Sequence, residues 1–172
     1  MTFNGNGKVI DGKLIAGKTM VREFEVANND NDKDIIIPYG ASLKIYGEQP
    51  FKVGYGNEFI IGDTDNQSTS ASLIIPGGIL IEGGSGDNFL IYNTKVEIGS
   101  IDYNREKEHG KFNFNLINSV ATVKGNISLP GSTVLILFNS KLYYGGTYSN
   151  SGSAEVYQNS EITKQHTQII IN

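Results

Sequence analysis

The sequence predicts an all-β protein whose residues 73–172 form a right-handed parallel β-helix. Between residues 86 and 162 one phrase recurs four times: a glycine, six or seven residues rich in β-formers, then Asn with Ser or Thr. The opening glycines are Gly86, Gly110, Gly131 and Gly152, which are 24, 21 and 21 residues apart. A period of this length is typical of stacked architectures, because one repeat cannot bury its apolar face alone. The composition agrees, with 21 Gly, 9 Tyr, 8 Phe and only 19% charged residues, which favours strands and turns over amphipathic helices.

The N-terminal part of the chain, 1–72, predicts short strands separated by turns. Lys8–Ile10 and Lys13–Ile15 are the first two, and the alternating segment 20–26 (MVREFEV) predicts a half-buried strand. An acidic loop at 28–34 follows. Further strands are predicted at Ile35–Ile37, 43–46, 51–53, 59–61, 73–75, 79–81 and 89–92. Because copies of the phrase are irregularly spaced before residue 86, we expect the N-terminal part to be a β-sandwich or an irregular solenoid.

The second phrase predicts a strand with one apolar face and one polar face. Its apolar members are Phe112, Phe114 and Leu116, which alternate with asparagines. We expect Val134, Ile136 and Phe138 to take the same positions one turn later.

The Asn-Ser or Asn-Thr pair that closes each phrase predicts a tight corner, because Asn tolerates a left-handed backbone. Corners stacked about 4.8 Å apart would let the amides bond in a ladder. The alternative is an antiparallel, jelly-roll-like β-sandwich throughout, since pairs of hairpins would imitate the same period.

The chain is long enough for one core, so we predict a single domain over residues 1–172. A sub-boundary near 97–110 is the alternative, with a sandwich-like part at 1–97 and the repeat-bearing part at 110–172. The charged insertion 104–110 (NREKEHG) is expected to be an exposed loop.

Charge and residue usage exclude several kinds of partner. A net charge of −4 and a pI near 5.2 argue against nucleic acid, which needs a basic face. No apolar run approaches the 18 residues of a membrane span, and the absence of cysteine excludes disulfides and thiolate metal sites. The N-terminus lacks the pattern of a signal peptide, so with Met1 as the native start we expect the chain to be made in the cytoplasm and to stay there initially.

We find no pattern that predicts catalysis, a metal or a cofactor. Asp30, Asp32 and Asp34 alternate as in the first half of a calcium loop, but the glycine and the later bidentate Glu are missing. His109 and His166 are the two imidazoles, and both have charged or polar neighbours in the sequence, which predicts surface histidines rather than catalytic ones. We therefore expect a protein that is not an enzyme.

Tyrosines are dense near the C-terminus, at Tyr143, Tyr144, Tyr148 and Tyr157. Adjacent Tyr143 and Tyr144 must point to opposite faces of a strand. Exposed tyrosines stack on sugar rings or anchor a protein partner, whereas buried ones fill a β core. These four residues are the candidate contacts with a glycan or a partner.

Residues 4–12 (NGNGKVIDG) resemble the G-x-G-x-I-D-G opening of pectin-lyase-like β-helix proteins, which include polysaccharide-degrading enzymes, tailspikes and adhesins. Enzymes of that family use clustered acidic residues on one face of the helix. No acidic pair recurs on a coil-matched face here, so the resemblance supplies no catalytic residue.

Residues 37–93 are similar in style to small β-rich virion proteins of bacteriophages. The positions that match are Gly62, Asp63, Thr64, Pro76, Gly77, Leu90 and Tyr92. The resemblance implies an accessory capsid, vertex or spike/fibre protein, assembled in the host bacterial cytoplasm into the virion. Its partners would be copies of itself, with a trimer as one form, and other virion proteins. The alternative is a carbohydrate-binding or carbohydrate-cleaving β-helix fragment of an adhesin or depolymerase, which would bind host surface glycan.

Overall fold

The computed structural model describes residues 8–10, 13–15, 35–37, 42–44, 50–54, 58–61, 72–83 and 86–165. These residues form nineteen strands and no helix. The strands are β1 Lys8–Ile10, β2 Lys13–Ile15, β3 Ile35–Ile37, β4 Ser42–Lys44, β5 Phe51–Gly54, β6 Glu58–Ile61, β7 Ser72–Ile75, β8 Ile79–Gly83, β9 Asp87–Tyr92, β10 Lys95–Ile98, β11 Ile101–Tyr103, β12 Phe112–Ile117, β13 Val120–Val123, β14 Ile127–Leu129, β15 Thr133–Phe138, β16 Lys141–Tyr144, β17 Tyr148–Asn150, β18 Ser153–Tyr157 and β19 Glu161–Lys164. The predicted strand 20–26, the acidic loop 28–34 with its three aspartates, Gly62 to Thr64 and His166 lie outside the described residues.

The strands form three sheets that run the length of the described chain. Sheet A has the order β1-β2-β4-β7-β10-β13-β16-β19, sheet B has β17-β14-β11-β8-β5, and sheet C has β18-β15-β12-β9-β6-β3. The β1–β2 pair is antiparallel, and every other described pair is parallel. The chain visits sheets C, A and B in turn, so that β6 to β17 make four successive coils.

This topology confirms the prediction of a right-handed parallel β-helix and excludes the antiparallel sandwich. The N-terminal strands β3, β4 and β5 pair in parallel onto the coil that follows, as in an irregular solenoid rather than a sandwich. Residues 105–108 are exposed, as predicted for the charged insertion. Sheets A and B continue on both sides of 97–110, and the sub-boundary there stays a prediction.

The core is a column of inward-facing apolar side chains. Phe114 pairs in register with Phe89 of the preceding coil and with Leu135 of the following coil. The rings of Phe89 and Phe114 meet edge to face with their centroids 5.3 Å apart. Stacked coils therefore bury a continuous core that no single coil could enclose.

The predicted inward positions of β15 are wrong by one residue. Register places Leu135 and Leu137 beside Phe114 and Leu116, so Val134, Ile136 and Phe138 face outward. A shift of one residue moves a whole set of side chains to the other face. Residues 134–138 (VLILF) are apolar at every position, so alternation carries no information there. The corner that follows the strand fixes the register instead.

The Asn corners have the left-handed backbone that the sequence predicts. Asn93, Asn118, Asn139 and Asn159 have φ values of 50°, 50°, 47° and 38°. Nδ2 of Asn139 donates to Oδ1 of Asn118 over 3.0 Å, so the predicted amide ladder forms between these two coils. The corners stack, and backbone pairing continues through them.

A second ladder, which the sequence did not predict, runs inside the same corners. The Ser or Thr after each Asn is buried at Thr94, Ser119 and Ser140. The backbone N–H of Thr94 donates to Oγ of Ser119 over 3.2 Å, and the N–H of Ser119 donates to Oγ of Ser140 over 2.9 Å. Each hydroxyl thus satisfies a backbone donor of the preceding coil, which explains why Ser or Thr follows Asn.

Replacing Ser140 with alanine is expected to lower the free energy of unfolding by roughly 1–3 kcal/mol, because the buried N–H of Ser119 loses its acceptor. Denaturant unfolding measures this loss, and hydrogen exchange at the Ser119 amide should accelerate. Ser149→Ala is the control, since Ser149 is exposed and should cost less than about 0.5 kcal/mol. Equal unfolding midpoints for the two variants would remove the structural role of the hydroxyl ladder.

Candidate interaction surface

The four tyrosines singled out in the sequence lie on different parts of the solenoid. Tyr143 faces outward on sheet A, where its hydroxyl donates to Oε1 of Glu161 over 3.0 Å. This hydrogen bond lowers the pKa of the Glu161 carboxyl, and nearby Lys141 acts in the same direction. Tyr157 lies on the last strand of sheet C and is 49% exposed.

Tyr144 points to the other side of the strand from Tyr143, as predicted, and packs against the core. The rings of Tyr144 and Tyr148 are 5.6 Å apart. Burial raises the pKa of the Tyr148 hydroxyl, an effect that the nearby Asn150 side chain partly offsets. That hydroxyl has no hydrogen-bond partner of good geometry among the described residues. The four tyrosines therefore do not share one surface, and their part in glycan or partner contact stays a prediction.

Arg105 and His109 of the charged insertion contact neighbouring residues. Arg105 pairs with Asp102 over 2.9 Å, donates to Oγ of Ser128 over 3.1 Å and lies 4.6 Å from the ring centre of Tyr103. His109 lies 2.6 Å from the carbonyl oxygen of Asn104 through Nε2. In the part of the chain that the structure describes, no three His, Cys, Asp or Glu residues gather where they could hold a metal ion.

The outward faces of sheets A and B carry charges. On sheet A, Glu97 lies 3.5 Å from Lys124, which directly follows β13, and Lys141 lies 3.4 Å from Glu161. On sheet B the outward side carries Asp102 with its partner Arg105. These ion pairs are solvent-exposed, so they mark polar surfaces and contribute little to stability.

The central part of the outward face of sheet C, on β9, β12 and β15, differs from both, whereas β18 at its rim carries Glu155. We call the outward residues of β9, β12 and β15 the sheet C outer face: Asn88, Leu90, Tyr92, Asn113, Asn115, Ile117, Val134, Ile136 and Phe138. None of the nine is charged, and six are apolar or aromatic. Phe138 is 37% exposed.

The face consists of columns that run from coil to coil. Leu90, Asn115 and Ile136 share one register position, and Tyr92, Ile117 and Phe138 share the next. At the far side, Nδ2 of Asn113 donates to Oδ1 of Asn88 over 2.5 Å. Glu155 and Tyr157 of β18 continue these two columns at the C-terminal rim, and Tyr157 donates to Glu155 over 2.5 Å.

Contiguous apolar surface that is not buried within the chain marks an interaction site in many soluble proteins. Sequence reasoning missed this surface because it assigned Val134, Ile136 and Phe138 to the core. The position of Asn139 could have revealed it, since counting back from a stacked corner gives the inward residues. The sheet C outer face is the candidate functional site of the described chain.

The described residues contain no helix with the length and hydropathy of a membrane span. No protein-family profile, no curated protein and no solved structure matches the chain.

Proposed function

We propose that this protein is a structural subunit of a virus particle, an accessory capsid, vertex or spike/fibre protein of a bacteriophage, and that it acts by surface contacts rather than by catalysis. The observation that carries the proposal is the uncharged sheet C outer face, set on a scaffold whose other two outward faces are charged. A surface of this kind is suited to burial against another protein.

The solenoid suits a subunit that must keep its shape in an assembly. Parallel ladders run through the Asn corners without interruption, and buried hydroxyls satisfy the backbone there. A core built of stacked layers holds the outward side chains at fixed spacings of about 4.8 Å. Such a scaffold presents a pre-organised face, which lowers the entropy lost on binding.

In this proposal the partners are further copies of the chain, with a trimer as one arrangement, and other virion proteins. Assembly takes place in the host bacterial cytoplasm, and the mature location is the virion. The phage-like segment 37–93 includes β9, which supplies one edge of the sheet C outer face, so the resemblance and the surface meet in one part of the molecule.

Particle association tests the proposal. Virus particles from a culture that expresses the chain would be banded on a density gradient, and the protein would be detected by immunoblot across the fractions. We expect it to band with the major capsid protein and to remain after a wash in high salt, because the sheet C outer face carries no charge to be screened. A protein found only in particle-free fractions would overturn the proposal.

Carbohydrate binding is the second candidate, because aromatic rings line one edge of the same face. Tyr92, Phe138 and Tyr157 occupy one register column with Ile117 between the first two. Aromatic side chains at this kind of edge stack on the apolar faces of sugars. Glycan-array binding that disappears in Phe138→Ala and persists in Tyr143→Ala would favour this candidate, whereas an array without binding would count against it.

A further inference from the structure

We propose that the sheet C outer face binds a second copy of this chain, face to face, about a two-fold axis that lies along β12. The inference rests on the proposed function in that it names the partner of the same surface. The axis places the two solenoids side by side in opposite directions. The outward side chains of β9, β12 and β15 determine the position of this axis.

The pattern is self-complementary about β12. A two-fold axis along this strand exchanges the neighbouring rows β9 and β15, because both pair with β12 in register. Leu90 then lies opposite the partner's Ile136, and Tyr92 lies opposite the partner's Phe138. Apolar side chains therefore meet apolar side chains in both of these pairs.

The central row meets itself under the same operation. Asn115 lies opposite the partner's Asn115, and Ile117 lies opposite the partner's Ile117. Amide faces amide, and aliphatic faces aliphatic. The one mixed pair of the face is Asn88 with the partner's Val134, at the polar side of the sheet.

Charge favours this face over sheet A for self-association. Two copies of a chain with a net charge of −4 repel one another, but the nine residues of the sheet C outer face add no like-charge contact. The equivalent two-fold axis along β13 would set Lys95 opposite the partner's Lys141, because both pair with Val120. Like charges directly opposed in an interface are unfavourable.

The area of the face predicts how strong the dimer is. Together with the flanking strands β6 and β18, where Glu155 lies opposite the partner's Ile60 at the rim, the sheet C outer face extends over five strands. Five strands span about 24 Å at the usual strand spacing, and six residues of strand span about 20 Å. The face and its two flanking strands thus offer about 480 Å² per copy, or about 960 Å² in total, just below the roughly 1,000 Å² of a specific interface. We expect a dimer that dissociates on dilution.

Sedimentation velocity over a range of concentrations is the first test, with two matched lysine variants. Ile136→Lys and Thr122→Lys both add a charge at an outward position in the middle of a strand. Each new lysine lies beside a glutamate of the neighbouring coil, Glu155 or Glu97 respectively. We expect the wild-type chain and Thr122→Lys to reach twice the monomer mass of 18.7 kDa at the same concentration. Ile136→Lys should need at least a tenfold higher concentration to reach the same mass.

Cross-linking of introduced cysteines tests the position of the axis. The wild-type chain has no cysteine, so only the introduced thiols can react. Asn115→Cys should give a covalent dimer with a short bismaleimide, because the two thiols face each other. Thr122→Cys, outward on sheet A, should not. Asn88→Cys should cross-link poorly alone and well when mixed with Val134→Cys, because those two positions face each other across the interface.

The results of these experiments either support or overturn the proposed dimer. A wild-type monomer at every concentration, a trimer, equal loss of the dimer in both lysine variants, or cross-linking of Thr122→Cys would overturn it. Glycan bound by this face of a monomer would also overturn it. A dimer with these cross-links supports it whether or not the chain bands with virus particles. Particle association by a strict monomer would retain the proposed function and reject this partner.

Discussion

Replacing Gly99 with alanine is expected to lower the free energy of unfolding by roughly 3–4 kcal/mol, one of the two largest effects expected of a single substitution in this chain. Gly99 lies at the corner between β10 and β11, directly beside the preceding coil. A Cβ atom at this position would overlap the backbone oxygen of Pro76. The two atoms would lie far inside van der Waals contact, so one of the two coils would have to move.

The backbone around Gly99 leaves little room for such a movement. The N–H of Gly99 donates to the carbonyl oxygen of Ile75 over 2.8 Å, and the carbonyl oxygen of Gly99 accepts from Gly125 over 2.6 Å. Separating the coils at Gly99 would therefore weaken backbone hydrogen bonds on both sides. The cost comes from a side chain against backbone, which no change of rotamer can relieve.

Thermal and denaturant unfolding measure the effect, and Gly131→Ala is the matched control. A Cβ atom at Gly131 would have Ser151 Cβ as its nearest neighbour, at an ordinary 3.8 Å. We expect the melting temperature to fall by about 10 °C for Gly99→Ala and to change little for the control. If both variants melted together with the wild-type chain, close stacking at this corner would not be the constraint that we describe.

The coil length and the Asn corners could be predicted from sequence because both depend on local chemistry. Asn at a left-handed φ and glycine at a turn are preferences of single residues, and their regular recurrence after Gly110 exposes the coil. The N-terminal coils were harder to predict, since Phe59 pairs with Phe89 across a longer stretch of chain than the one that separates Phe114 from Leu135. Insertions between coils make the spacing of the repeat irregular in the sequence, but they do not change which strands pair.

The candidate surface could not be predicted from composition or alternation, because both faces of β15 are apolar. Leu135 and Leu137 are fully buried, whereas Phe138 is partly exposed, yet all three residues count equally as hydrophobic in a sequence pattern. The stacking of Asn139 on Asn118, a contact between coils, determines which of these residues face inward. The tyrosines illustrate the reverse case, since a dense cluster in sequence is divided among the sheets in space.

Phe114→Ala is expected to lower the free energy of unfolding by roughly 3–5 kcal/mol, because it removes a large side chain from a packed core. Phe114 is 1% exposed, and the edge-to-face contact with Phe89 is lost as well. The coils above and below are held by backbone ladders, so they cannot collapse into the space. A cavity should therefore remain between them.

Phe138→Ala is the matched substitution, and it also tests the direction in which β15 faces. The outward ring of Phe138 is 37% exposed, so its removal should cost less than about 1 kcal/mol in the monomer. Urea unfolding at a protein concentration low enough to keep the chain monomeric would compare the two variants. A loss as large for Phe138 as for Phe114 would mean that Phe138 lies in the core, and the sheet C outer face would lose the aromatic side chain on which both its self-association and its glycan alternative depend.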